Sequence, residues 1–206
     1  QHFKNTNNIN NIKRQEKSYK KLEGAQKINL PQNKTIILSA QRDTEGTGIN
    51  QGIFKPKLEK GPDILLNILS KLPKEQYCIL LAGYRRDWII QELKKINFPY
   101  VLAERFDDIN HLYNISDIVL TTSRFEGGPQ QILECAQTKT KILSTDVGIA
   151  SEILHPDCIC RFIDDFVDKI KNLNFEDIVE YNYKKIQDYT IDKMVPLYDK
   201  MITDLV

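Results

Sequence analysis

No apolar run in this sequence of 206 residues approaches the roughly 18 residues that cross a bilayer. Nowhere do a charged stretch, an apolar stretch and a small-residue cleavage site follow one another as in a secretory signal. The chain therefore reads as cytoplasmic, with at most a peripheral association with a membrane and no transmembrane segment. Net charge is only +1, and the lack of a basic excess argues against a dedicated nucleic-acid partner. Cysteine is scarce, at Cys78, Cys135, Cys158 and Cys160. The first two sit in apolar stretches as small buried thiols, and Cys158-Ile-Cys160 lacks the paired spacing of a zinc site. Four reduced thiols are expected, with no disulfide framework and no metal. The sequence opens on Gln, so it reads as a processed chain or as a piece of a longer one.

What charge there is divides unevenly. Residues 1–34 carry eight Lys and Arg against two Asp and Glu, whereas the remainder is acidic by five. Residues 1–33, rich in Asn, Lys and Gln, read as a polar basic linker or arm with one weak helix. From 34 to 206 the pattern is that of a folded domain. Short apolar runs at 35–40, 77–83, 100–104, 117–123 and 141–146 read as buried strands. Between them lie helical patterns at 62–72, 86–96, 109–116 and 129–138, then a helical turn at 150–154. A short edge strand is expected at 158–162, and helices at 164–173, 176–188 and 190–205, the last bent by Pro196. The glycines of loop 41–60 exclude a regular element there. Continuous apolar strands alternating with amphipathic helices imply an α/β fold, a doubly wound parallel sheet with C-terminal helices added. Ligands of such a sheet bind at the carboxyl ends of its strands.

The chemistry concentrates in Ser123-Arg-Phe-Glu-Gly-Gly-Pro-Gln-Gln-Ile-Leu-Glu134. Pro129 fits the first turn of a helix, where the amide it lacks would be unpaired. The amides of Gly127, Gly128, Gln130 and Gln131 then face out of the helix start, which carries about half a positive charge and suits a phosphate or diphosphate. Glu126 stands beside that point and Glu134 two turns along, at most about 12 Å away at 1.5 Å per residue. A carboxylate only accepts hydrogen bonds, so each suits sugar hydroxyls. The plain reading of both is a solvated carboxylate. Arg85 and Arg86 read as solvated charges at a helix start, and Trp88 as core.

This segment, with Thr145-Asp-Val-Gly148 and Glu152-Ile153 after it, resembles the signature of the retaining glycosyltransferases of group 1, family 4. The likeness covers about 35–206, the C-terminal, donor-binding half of the two-domain GT-B fold, which is Rossmann-like. It implies that Glu126 holds hydroxyls of the transferred sugar and Glu134 those of the ribose. Gly127 to Gln131 would meet the sugar and diphosphate, and Lys60 with Arg42 would form a basic pair that stabilises the departing diphosphate, a catalytic role. Gly83 and Tyr84 match the family's turn after the second strand, and the base would lie near Glu104, Arg105 and Phe106. The partners implied are a nucleoside diphosphate sugar such as a UDP- or GDP-sugar, and a glycan, lipid or protein hydroxyl acceptor. The acceptor would be held by a domain absent from this sequence, upstream or on another chain. No metal and no other cofactor is implied. The family has Gly where this chain has Lys139 and Pro where it has Lys141, so the exit of that helix is unusual. None of His2, His111 and His155 matches the histidine that the family's acceptor half supplies.

Two other functions stay open on the sequence. A sugar-nucleotide epimerase shares the two-domain architecture, and a non-catalytic module could keep the pocket and serve assembly.

Overall fold

A computed structural model describes residues 28–46, 54–106 and 108–204. The weak helix expected within 1–33 falls largely outside them, but Ile28 and Leu30 already pack against the core.

Five strands form one wholly parallel sheet: β1 (Thr35–Ser39), β2 (Tyr77–Ala82), β3 (Tyr100–Ala103), β4 (Ile118–Thr121) and β5 (Ile142–Ser144), in the order β3-β2-β1-β4-β5. Their apolar runs are continuous because both faces are covered. Every residue of β2, β4 and β5 is buried, as are Ile36, Ile37 and Leu38 of β1. The covering helices are α1 (Pro62–Ser70), α2 (Asp87–Lys95), α3 (Ile109–Ile115), α4 (Gln130–Gln137) and α5 (Ala150–Ile153), followed by α6 (Ile163–Asn172), α7 (Glu176–Ile186) and α8 (Ile191–Thr203). Asp108 caps α3, its carboxylate accepting from the amide of Asn110 at 2.9 Å. The chain runs from β1 out to β3 and then returns to β4 on the other side of β1. That reversal opens a crevice at the carboxyl ends of β1 and β4, where ligands of such sheets bind.

Residues 158–162 are not the edge strand expected from their apolar pattern. Pro156–Cys158 is a 3-10 turn, and the sheet is met by a single bridge of Ile159 to Ser144. With only three residues β5 offers little to pair with. The carboxylate of Asp165 then accepts from the amides of Arg161 and Phe162, both at 3.0 Å, and turns the chain into α6. The described part of loop 41–60 holds one antiparallel bridge, Thr44 to Pro56, and a 3-10 turn at Leu58–Lys60.

α7 packs Ile178, Asn182 and Ile186 inward. α8 runs through Pro196, and none of its residues is buried; Ile191, Leu197, Tyr198 and Met201 are all exposed. Among the described residues no helix is long and apolar enough to cross a membrane.

Candidate functional site

The turn from β4 into α4 is built by two clasps. The first comes from the segment before α1. Gly61 has φ +61°, and a Cβ there would lie 1.8 Å from the carbonyl oxygen of Thr122. Only glycine permits that approach. The Thr122 hydroxyl donates to the Gly61 carbonyl at 3.0 Å, and the Arg124 amide to the Glu59 carbonyl at 2.8 Å. The Arg124 guanidinium grips Asp63 through two bonds of 2.8 and 2.6 Å, and this contact holds the Asp63 carboxyl below its usual range. The second clasp comes from the turn after β5. Gly148 has φ +53°, and a Cβ there would sit 2.6 Å from the Gly127 carbonyl oxygen. The Thr145 hydroxyl donates to the Ser123 carbonyl at 2.5 Å.

The first clasp delivers Lys60. Its ammonium lies 2.5 Å from Oε1 of Glu126, which also accepts from the Ser123 hydroxyl at 2.8 Å. Both side chains are partly exposed, at 26% and 17%. Glu126 lines an open cavity of about 530 Å³ with Arg124, Phe125, Gly127, Asp146, Val147 and Gly148. By helix geometry the amides of Gln130 and Gln131 have no acceptor within α4. Gln130 is exposed and Gln131 buried, its side-chain nitrogen unpartnered among the described residues. Gly127 and Gly128 are exposed, with open space around each.

Glu134 lines a different cavity, of about 280 Å³, with Asn110, Leu133, Gln137 and Tyr189 among its walls. Oε2 of Glu134 accepts from the hydroxyl of Tyr113 on α3 at 2.5 Å. Burial, the neighbouring Cys135 and Glu134 push the Tyr113 hydroxyl far above its ordinary range. It stays a donor at any working pH. Tyr113 was not visible to sequence reasoning as a site residue, because nothing in its surroundings distinguishes it from core.

The remaining site residues expected from the sequence stand along the same edge of the sheet. Gly83, at φ +84°, and exposed Tyr84 follow β2; exposed Arg105 and half-buried Phe106 follow β3. β3 lies three strand spacings from β4, roughly 14 Å. Arg42 is exposed and makes no ion pair among the described residues. Beside it Gln41 does reach the β4 turn: its side-chain oxygen accepts from the Thr122 amide at 2.8 Å and its nitrogen donates to the Ser123 hydroxyl.

Arg86 is not the solvated charge expected. It is 2% exposed, its Nε 2.7 Å from Oδ2 of Asp43 and its Nη2 donating to the Ser39 hydroxyl at 2.9 Å. Asp43 in turn fastens the loop after β1: its carbonyl accepts from Lys57, and its amide and that of Thr44 donate to the Arg85 carbonyl. The four cysteines are free and buried, Cys78 and Cys135 as expected, and burial raises each thiol. Among the described residues no group of three His, Cys, Asp or Glu could hold a metal.

The parallel Rossmann-like sheet with its reversal between β1 and β4 has the fold of the C-terminal half of GT-B glycosyltransferases, as solved structures show. A glycosyltransferase of Rickettsia africae superposes with a TM-score of 0.68 at 19% identity, over 84% of this chain and 48% of its own. An Anabaena protein in complex with UDP and glucose superposes at 0.63 and 16%, over 84% of this chain and 48% of its own. The C-terminal domain of a glycosyl transferase group 1 family protein of Francisella tularensis gives 0.56 and 17%, over 77% of this chain and 87% of that domain. The chain thus spans about half the length of the first two. The model of the family "Glycosyl transferases group 1" matches residues 51–174, and the chain belongs to that family. None of the curated proteins matches it.

Proposed function

We propose that this chain is the donor-binding half of a retaining, family 4 glycosyltransferase, taking a nucleoside diphosphate sugar such as a UDP- or GDP-sugar. The observation that carries the reading is the meeting of Lys60, Glu126 and the α4 start at the β1/β4 reversal, with Glu134 about one turn further along α4. A diphosphate at the mouth of α4 gains the helix amides and the Lys60 ammonium. Glu126 accepts from hydroxyls of the sugar, and Glu134 from the ribose. The base lies toward Arg105 and Phe106.

In the reaction the bond from C1 of the sugar to the diphosphate breaks, its electron pair staying on the phosphate oxygen. The acceptor oxygen bonds to C1 on the same face, and the acceptor's proton passes to the diphosphate product. Charge growing on the leaving oxygen is met by Lys60 and the helix amides, without a metal; such fixed donors are worth several kcal/mol of barrier, about 3–4 for one. The acceptor is a glycan, lipid or protein hydroxyl held by a further domain, upstream or on a partner chain, in the cytoplasm. The exposed apolar side chains of α8 support a second body packing there. Alone, this half binds the donor and does not turn it over.

Calorimetry with UDP, GDP and their sugars tests the reading. Binding that Glu134→Ala weakens by about 1–3 kcal/mol supports it. Absence of binding to any of them would leave the assembly module as the better account.

A further inference from the structure

We infer that Tyr113 is the positioning residue of the nucleotide site, fixing the carboxylate of Glu134 so that one oxygen is held by the protein and the other is offered to the ribose. The inference rests on the reading of Glu134 as the ribose-binding group.

Tyr113 is 2% exposed, and its ring belongs to the core. Phenylalanine would fill the same space without bringing a polar atom inside. A buried hydroxyl needs a partner and is costly to leave without one. The partner this hydroxyl finds is Glu134 Oε2, at 2.5 Å, 21 positions along the chain. A tyrosine hydroxyl has one proton to donate, and here it goes to that oxygen. Oε1 has no partner among the described residues, and Glu134 lines the cavity beside α4. The carboxylate is therefore half engaged, with one acceptor left for a ligand.

Orientation is what the bond supplies. A glutamate side chain has three rotatable bonds, and immobilising it costs conformational entropy. Where the protein has already fixed the rotamer, a ligand does not bear that cost on binding. Protonation helps: the hydroxyl is pushed far above its ordinary range, so it never becomes an anion facing Glu134.

Removal of the hydroxyl should therefore weaken ligands that carry ribose hydroxyls and spare those that lack them. The measurement is a titration of wild type, Tyr113→Phe, Glu134→Ala and the double variant with UDP and GDP, and with their 2′,3′-dideoxy forms. Tyr113→Phe should bind the ribonucleotide about tenfold more weakly and the dideoxy form unchanged. In the Glu134→Ala background it should add nothing. A merely structural role predicts equal loss for both ligands, or a further loss in the double variant, and either overturns the inference while leaving the donor reading standing. A wild type that binds neither UDP nor GDP overturns both. Should Tyr113→Phe fail to fold, proton NMR of the wild type decides. A slowly exchanging hydroxyl signal that vanishes in Glu134→Ala and moves on adding UDP is expected, and its absence in the wild type would end the proposal.

Discussion

The ammonium of Lys60 and the carboxylate of Glu126 touch at 2.5 Å across the crevice, one arriving from the segment before α1 and the other from the turn after β4. Each satisfies the other. A donor would separate them, its phosphate taking the lysine and its sugar hydroxyls taking the glutamate. The exchange costs little, because a partly exposed ion pair is worth at most about 1 kcal/mol. Contact of an ammonium with a phosphate is worth about 1.5–3 kcal/mol. The phosphate wins, so the pair holds both groups in place without blocking the site.

Lys60→Ala should accordingly weaken UDP or GDP by about 1–2 kcal/mol, the phosphate contact less the ion pair that no longer has to open. The parent nucleoside should bind as to wild type. Calorimetry on the two ligands checks this, and equal loss for both would contradict a phosphate contact.

Gly61→Ala probes the clasp that carries Lys60. The new Cβ would overlap the Thr122 carbonyl and sit at a left-handed φ. Strain of about 1–3 kcal/mol from the backbone and a similar amount from the overlap add up. The urea midpoint should fall with the slope of the transition kept. Gly127→Ala is the contrast, since its Cβ would meet nothing within 4 Å and its φ is not left-handed. It should keep its stability within about 0.5 kcal/mol, as ordinary surface changes do. Comparable losses in the two variants would deny the clasp.

What was legible in the sequence follows from how far each signal reaches. The strands announced themselves because a parallel sheet buries both faces, so their apolar runs need no partner to be seen. Glu126 and the glycine turn form a local string between a recognisable strand and helix, whereas Lys60, 66 positions away, is reached only through the family resemblance. Tyr113 and Gln41 were not legible, because their roles lie in partners 21 and 81 positions away. Arg86 misled for the same reason. A charge beside a glycine turn reads as solvated until Asp43, distant in sequence, is folded against it. The supposed strand at 158–162 had the right residues and no sheet edge long enough to receive it.

Lys139 marks the departure from the family that the structure explains. It follows α4 at φ +54°, the left-handed position that closes a helix and that glycine suits best. A side chain there costs about 1 kcal/mol. Its ammonium lies 2.6 Å from Glu180 and 4.5 Å from the centre of the Tyr183 ring, both on α7. These exposed contacts return about 0.5–1 kcal/mol. Lys139→Ala keeps the strain and loses the contacts, so it should destabilise by that amount. Lys139→Gly loses both together and should be nearly neutral. Thermal melts would show the glycine variant above the alanine one, and the reverse order would sink the argument.

Arg86 and Asp43 give a prediction with a pH signature. Burial holds the Asp43 carboxyl above its ordinary 3.8, against the pull of Arg86. Arg86→Met would remove that pull and leave a buried carboxylate without a counter-charge, which costs about 3–5 kcal/mol at pH 7. The carboxyl's folded-state value then rises further, while its unfolded value stays put. Below the unfolded value the carboxyl is neutral in both states and the penalty is absent. As pH rises through the window between the two, the native state holds a proton that the unfolded chain has released, and stability falls. The loss in Arg86→Met should therefore be large at pH 7 and shrink steadily toward pH 4.5. Urea titrations of wild type and variant across that range measure the difference, and a loss independent of pH would mean that the guanidinium acts through packing and its bond to Ser39, not through the charge on Asp43.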